Sequence, residues 1–137
     1  MKKISVFNAH PRYRRRREET IRLVRRVLSV ERCPRAEIGI VFVNDKKMVE
    51  LNGTYLHHYY TTDVLSFPFE DSSHGSLEGE VYVNLDQAKR QAAQYKVALA
   101  EEARRLVIHG VLHLVGYDDV TRRQQNAMRK LEDRYLM

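Results

Sequence analysis

Cysteine occurs once in this chain, at Cys33, so no disulfide can form within it and a reducing compartment is expected. Beside Pro34, Cys33 reads as a loop or core residue. No internal repeat, low-complexity tract or linker rich in Gly, Pro and Ser breaks the sequence, which predicts a single domain over residues 1–137. Long apolar runs are missing too. The opening MKKISVFNAH holds only a short, interrupted one, so neither a signal peptide nor a membrane span is predicted, and the expected location is the cytoplasm. No membrane partner and no organic cofactor are expected. At 43% hydrophobic and 31% charged residues the composition is that of a folded domain rather than a disordered one.

Acidic residues are outnumbered, 18 against 24 Lys and Arg, leaving a formal net charge of +6. The excess is mostly arginine, whose fork suits phosphates and carboxylates. It is concentrated in PRYRRRREETIRLVRRVL, where Arg14, Arg15, Arg16 and Arg17 are the candidates to face the phosphates of a polyanionic partner, and the alternative is a solvated helix face.

Hydrophobic periodicity predicts a strand at Lys3–Phe7 and a helix from Arg14 to Leu28 with Ile21, Val24 and Leu28 on one stripe. A strand at Ile38–Val43 follows, then a short helix capped by Asn44 and ended by Gly53. VLSFPF and EGEVYVN read as two strands of a hairpin joined by DSSHGSLE, with Pro68 placing the first at an edge. Three helices complete the chain: from Asn84 and Asp86 to Tyr95, from Ala98 to Val115, and from Thr121 to Tyr135, the last opened by a Thr121/Gln124 capping box. The expected fold is α+β, a small mixed sheet of about four strands packed with about five helices.

The stretch HGVLHLVGYDD, residues 109–119, carries the chemistry. Residues four apart on a helix point the same way from adjacent turns, so His109 and His113 can grip one ion. Their helix is apolar nearly all round and reads as buried and central, with the metal site at its end. Gly116 stops it and lets the chain turn back through Tyr117, bringing Asp119 in front of both imidazoles. Two nitrogens and one carboxylate oxygen leave a fourth tetrahedral position open, as a catalytic metal site requires. Asp118 competes for the role of third ligand, or accepts an imidazole N–H from behind. A zinc-protease reading fails because the position next to the first histidine, where that chemistry needs a glutamate base, is Gly110.

On these residues the chain resembles the YbeY-type endoribonucleases, or rRNA maturation factors, whose signature is H-G-x-L-H-L-x-G-Y-D-H. His109, Gly110, Leu112, His113, Leu114, Gly116, Tyr117 and Asp118 are in register, with Asp119 where most members have a third histidine. The second family block, T-D-V-L-S-F-P, stands whole at Thr62–Pro68, and Leu51-Asn52, Tyr55 and GEVYVN also match. The resemblance implies a cytoplasmic, single-strand-specific endoribonuclease of 16S rRNA 3′ maturation and ribosome quality control. It also implies rRNA and the small ribosomal subunit as partners, one Zn2+ on His109, His113 and Asp119, and an RNA groove floored by the sheet near T-D-V-L-S-F-P.

Two departures stand out. The family's arginine after the tyrosine of the upstream block is Leu56 here, followed by His57 and His58, which read either as substitute donors or as exposed loop residues. Aspartate for histidine lowers the charge of the metal centre by one unit. No residue stands out as general base; Ser66 and Asp63 are the candidates for positioning substrate or water. The alternative function is a non-catalytic ribosome assembly factor that binds rRNA around a structural zinc.

Overall fold

The computed structural model describes residues 1–69 and 75–137. Its elements are β1 (Lys2–Asn8), α1 (Arg17–Val30), β2 (Ala36–Val43), α2 (Asp45–Leu56), β3 (Val64–Pro68), β4 (Leu77–Asn84), α3 (Leu85–Tyr95), α4 (Leu99–Val115) and α5 (Arg122–Leu136). The strands form a mixed sheet ordered β1-β2-β4-β3, and with five helices the described residues make an α+β fold. β1, β2 and β4 run parallel, while β3 pairs antiparallel with β4 and ends the sheet, so Pro68 does lie on an edge strand. Of the linker DSSHGSLE between β3 and β4, residues 71–74 lie outside the described residues.

Strand alternation decides what each face carries. Ile38, Ile40 and Phe42 of β2 and Val81 and Val83 of β4 point to one face, and α1, α3, α4 and α5 supply the side chains that bury them. The opposite face is covered by α2 through Met48 and Leu51, which pack on Val41, Leu65 and Tyr82. Helix α4 lies innermost, touching β3, β4, α1, α3 and α5.

Two of the boundary shifts have a local reason. Helix α1 begins at Arg17 rather than Arg14, because the preceding strap is tied to the end of β1: the Asn8 side chain bonds both the N–H and the carbonyl of Arg15, at 2.8 and 3.0 Å. The buried His10 ring completes that tie, accepting the N–H groups of Arg12 and Tyr13 on Nδ1 and donating from Nε2 to Asp86 at 2.7 Å. Gly53 does not end α2. The helix runs on to Leu56, and its end is set by His57, which takes the left-handed conformation at φ 57° while its N–H and that of His58 close on the carbonyls of Gly53 and Asn52.

The loop after α2 is anchored by Asn84, fully buried at the end of β4. Its carbonyl caps α3, and its amide donates to Asp45 Oδ1, Thr61 Oγ1 and the Thr62 carbonyl. The Asn84 N–H bonds the Asp63 carbonyl at 2.8 Å, which fixes Asp63 beside α4.

Candidate metal centre

Helix α4 reaches the sheet closely because position 110 has no side chain. A Cβ there would lie 2.3 Å from Val81 Cγ1 and 3.2 Å from both Ser66 Oγ and Val64 Cγ2. The Ser66 hydroxyl donates to the Gly110 carbonyl at 2.9 Å, so this serine holds β3 against the helix. With Gly110 and Val111 turned inward, His109 and His113 occupy the half-buried stripe that remains. Gly116, at φ 127°, caps the helix, and the N–H of Tyr117 returns to the Leu112 carbonyl. The turn swings Asp119 over the imidazoles.

The three ligand atoms converge. Asp119 Oδ2 lies 3.2 Å from His109 Nε2 and 3.4 Å from His113 Nε2, and the two nitrogens are 3.0 Å apart. Bonds of 2.0–2.2 Å at tetrahedral angles place ligand atoms about 3.3 Å from one another, so the spacing fits one small cation. Asp118 is exposed and stands outside the group.

Behind this triad lies a residue that the motif does not contain. Glu132 of α5, 5% exposed, holds His109 Nδ1 at 2.7 Å with one oxygen and Arg105 at 3.0 Å with the other. A carboxylate only accepts, so the hydrogen of neutral His109 sits on Nδ1 and the Nε2 lone pair faces Asp119 and His113. An acceptor nitrogen and a carboxylate oxygen 3.2 Å apart repel one another unless a positive charge lies between them. A proton or a metal ion supplies that charge. Burial pushes the His109 pKa down, but the hydrogen bond to Glu132 and the charges of Glu132 and Asp119 outweigh it, and the net shift is upward. Proton and metal therefore compete for one nitrogen.

His109 and Asp119 line a cleft of about 230 Å³ together with Asp63, Tyr95, Glu102, Arg105 and Arg129. Burial raises the Glu102 pKa, although its carboxylate accepts from Gln91 at 2.7 Å. Four carboxylic side chains thus face two guanidinium groups, and Arg105 is already committed to Glu132 and to Asp133 at 2.6 Å. A cleft of this charge attracts a cation before it admits an anion.

Of the residues singled out from sequence, His109, His113, Asp119 and Asp63 come together here. Ser66 faces the α4 backbone instead, and His57 and His58 sit on an exposed loop where His58 stacks on Tyr60. Arg14, Arg15, Arg16 and Arg17 are on the strap and first turn of α1 and line none of this cleft; Arg15 lies 3.8 Å from Glu19. Cys33 is half buried, its thiol 3.7 Å from the Glu31 carbonyl. Among the described residues no helix is long and apolar enough to cross a membrane.

Residues 5–137 match the family model described as Endoribonuclease YbeY. The Endoribonuclease YbeY of Chlorobium phaeovibrioides is 40% identical over 113 residues, spanning 82% of this chain and 75% of that protein. That of Salinibacter ruber is 38% identical over 141 aligned positions, spanning 97% and 89%. A Thermotoga maritima protein solved in solution has the same fold, with a TM-score of 0.64 and 22% identity across 97% of this chain and 86% of that one.

Proposed function

The chain belongs to the Endoribonuclease YbeY family, and on that premise we propose that it is a zinc-dependent endoribonuclease cutting single-stranded RNA. The observation that carries this reading is the convergence of His109 Nε2, His113 Nε2 and Asp119 Oδ2 within 3.4 Å of one another at the wall of an open cleft. Residues 1–137 act as one metallohydrolase domain in the cytoplasm, and the substrate is the 3′ region of 16S rRNA in the small ribosomal subunit. When bound, one zinc ion supplies Lewis-acid polarisation and an acidified water.

The chain's own groups do the rest. Glu132 keeps the His109 lone pair aimed at the ligand position, and Arg105 holds Glu132 in place. Asp63 lines the cleft and is the carboxylate assigned to position water or a ribose hydroxyl; Ser66 is occupied by the Gly110 carbonyl and takes no part in proton transfer. Arg14, Arg16 and Arg17 make no ion pair among the described residues and are assigned to the RNA backbone outside the cleft.

The test is cleavage of single-stranded RNA by the zinc-loaded protein beside His113→Ala purified identically, so that contaminating nucleases cancel. Cleavage by the parent alone supports the assignment. Equal rates overturn it. A parent that binds RNA without cutting it assigns the same site to ribosome assembly, the reading favoured by the exposed Leu56 that stands where the family carries an arginine.

A further inference from the structure

The cleft lined by His109 and Asp119 has a rim of different chemistry. Tyr95, the last residue of α3, and Arg129 of α5 line it side by side, the guanidinium carbon 5.8 Å above the centroid of the ring. Tyr95 is 47% exposed, and Arg129 is exposed as well. Of the two arginines lining the cleft, Arg105 is spent on Glu132 and Asp133, whereas Arg129 makes no ion pair among the described residues. A phosphodiester approaching this cleft meets carboxylates from Asp63, Glu102 and Glu132, so it needs a free cation at the entrance. A ring beside that cation adds a surface on which an unpaired base can lie, and a base inside a duplex has no such free face.

We propose that Tyr95 and Arg129 form the substrate-selecting rim of the cleft: Arg129 forks onto a backbone phosphate of single-stranded RNA while the Tyr95 ring stacks one of its bases. This rests on the endoribonuclease reading and deepens it, because it gives the preference for single strands a residue and gives the phosphate a cation although Leu56 offers none. The pairing is insensitive to base identity, since every base has a π-face.

The experiment measures anisotropy of a short fluorescein-labelled RNA of mixed sequence, and of its duplex, with the chelated protein, alongside cleavage by the zinc-loaded protein. Arg129→Ala should weaken single-strand binding about tenfold and flatten its dependence on log salt by about 0.7. Tyr95→Ala should weaken it about tenfold with the salt dependence unchanged and leave duplex binding alone; Tyr95→Phe should bind as the parent does. Both positions are exposed, so circular dichroism should show all variants folded. Single-strand binding within about twofold of the parent for both alanine variants overturns the rim. If the parent binds but does not cut while the variants lose binding as described, the cleavage reading falls and the rim stands. A parent that binds no RNA overturns both.

Discussion

Glu132 Oε2 lies 2.7 Å from His109 Nδ1, and that bond joins the buried face of α5 to the wall of the cleft. One carboxylate fixes the tautomer of a ligand, and through its second oxygen it neutralises Arg105, which is only 13% exposed. The two halves of this arrangement separate experimentally.

Glu132→Gln keeps a hydrogen-bond acceptor of the same shape but gives up the charge that makes His109 a strong donor to metal. Zinc affinity should fall 10–100-fold, and the melting temperature should fall as well, because an amide has one acceptor oxygen where His109 Nδ1 and Arg105 need two. Glu132→Ala should add a loss of roughly 3 kcal/mol, because Arg105 is left with Asp133 alone in a mostly buried setting. Competition titration against a chromophoric chelator reads the first effect and urea unfolding the second. Equal zinc affinity in parent and Glu132→Gln would reduce Glu132 to a packing role.

Gly110→Ala should reverse the usual sign of its substitution. In an exposed helix the change stabilises by about 1 kcal/mol. Here the new Cβ would lie 2.3 Å from Val81 Cγ1 on the central strand β4, so either α4 or the sheet must shift. The expected result is a loss of roughly 1–3 kcal/mol in urea unfolding, with weaker zinc binding as His109 moves with the helix. A more stable variant would show that α4 yields without cost.

Much of this architecture is legible in the sequence because it rests on short-range signals. The apolar runs in EIGIVFVN and EGEVYVN give two strands, Asn84 and the Thr121/Gln124 box give helix starts, and spacing puts His109 and His113 on one side of α4. What is not legible depends on side chains reaching across the chain. The start of α1 is set by Asn8 and His10, and the end of α2 by the left-handed His57 rather than by the glycine beforehand. Glu132 leaves a partial trace: Met128, Glu132 and Tyr135 share one helical face, so a carboxylate interrupts an otherwise apolar stripe. Its partner, His109, becomes visible only when α4 and α5 are packed.

Chelation should leave the fold intact. Leu106, Val107, Ile108, Val111, Leu112 and Leu114 are buried along α4, so apolar packing holds the helix in place. Far-UV circular dichroism should be unchanged after metal removal, and stability should fall only by linkage, about 2.7 kcal/mol at a hundredfold excess of zinc over its Kd. Unfolding on chelation would make the ion structural and would support the assembly reading.

Acid stability gives the last test, at the C-terminal end of the parallel strands. Arg90 forks onto Asp45 at 2.8 and 2.9 Å, and with Asn84 and Thr61 it outweighs partial burial to hold the Asp45 carboxyl at a pKa of about 2. Unfolded, the group titrates near 3.9. The depressed value means that its stabilisation is present in full above about pH 4 and is lost as the pH falls toward 2. Because Asp45 is 38% exposed, solvent screening reduces the contribution to about 1 kcal/mol. Asp45→Asn should therefore be less stable than the parent by about that amount at neutral pH, and the gap should close between pH 4 and 2. A gap that stays constant through that window would mean that the bond network around Asn84, rather than the charge on Asp45, secures this end of the sheet.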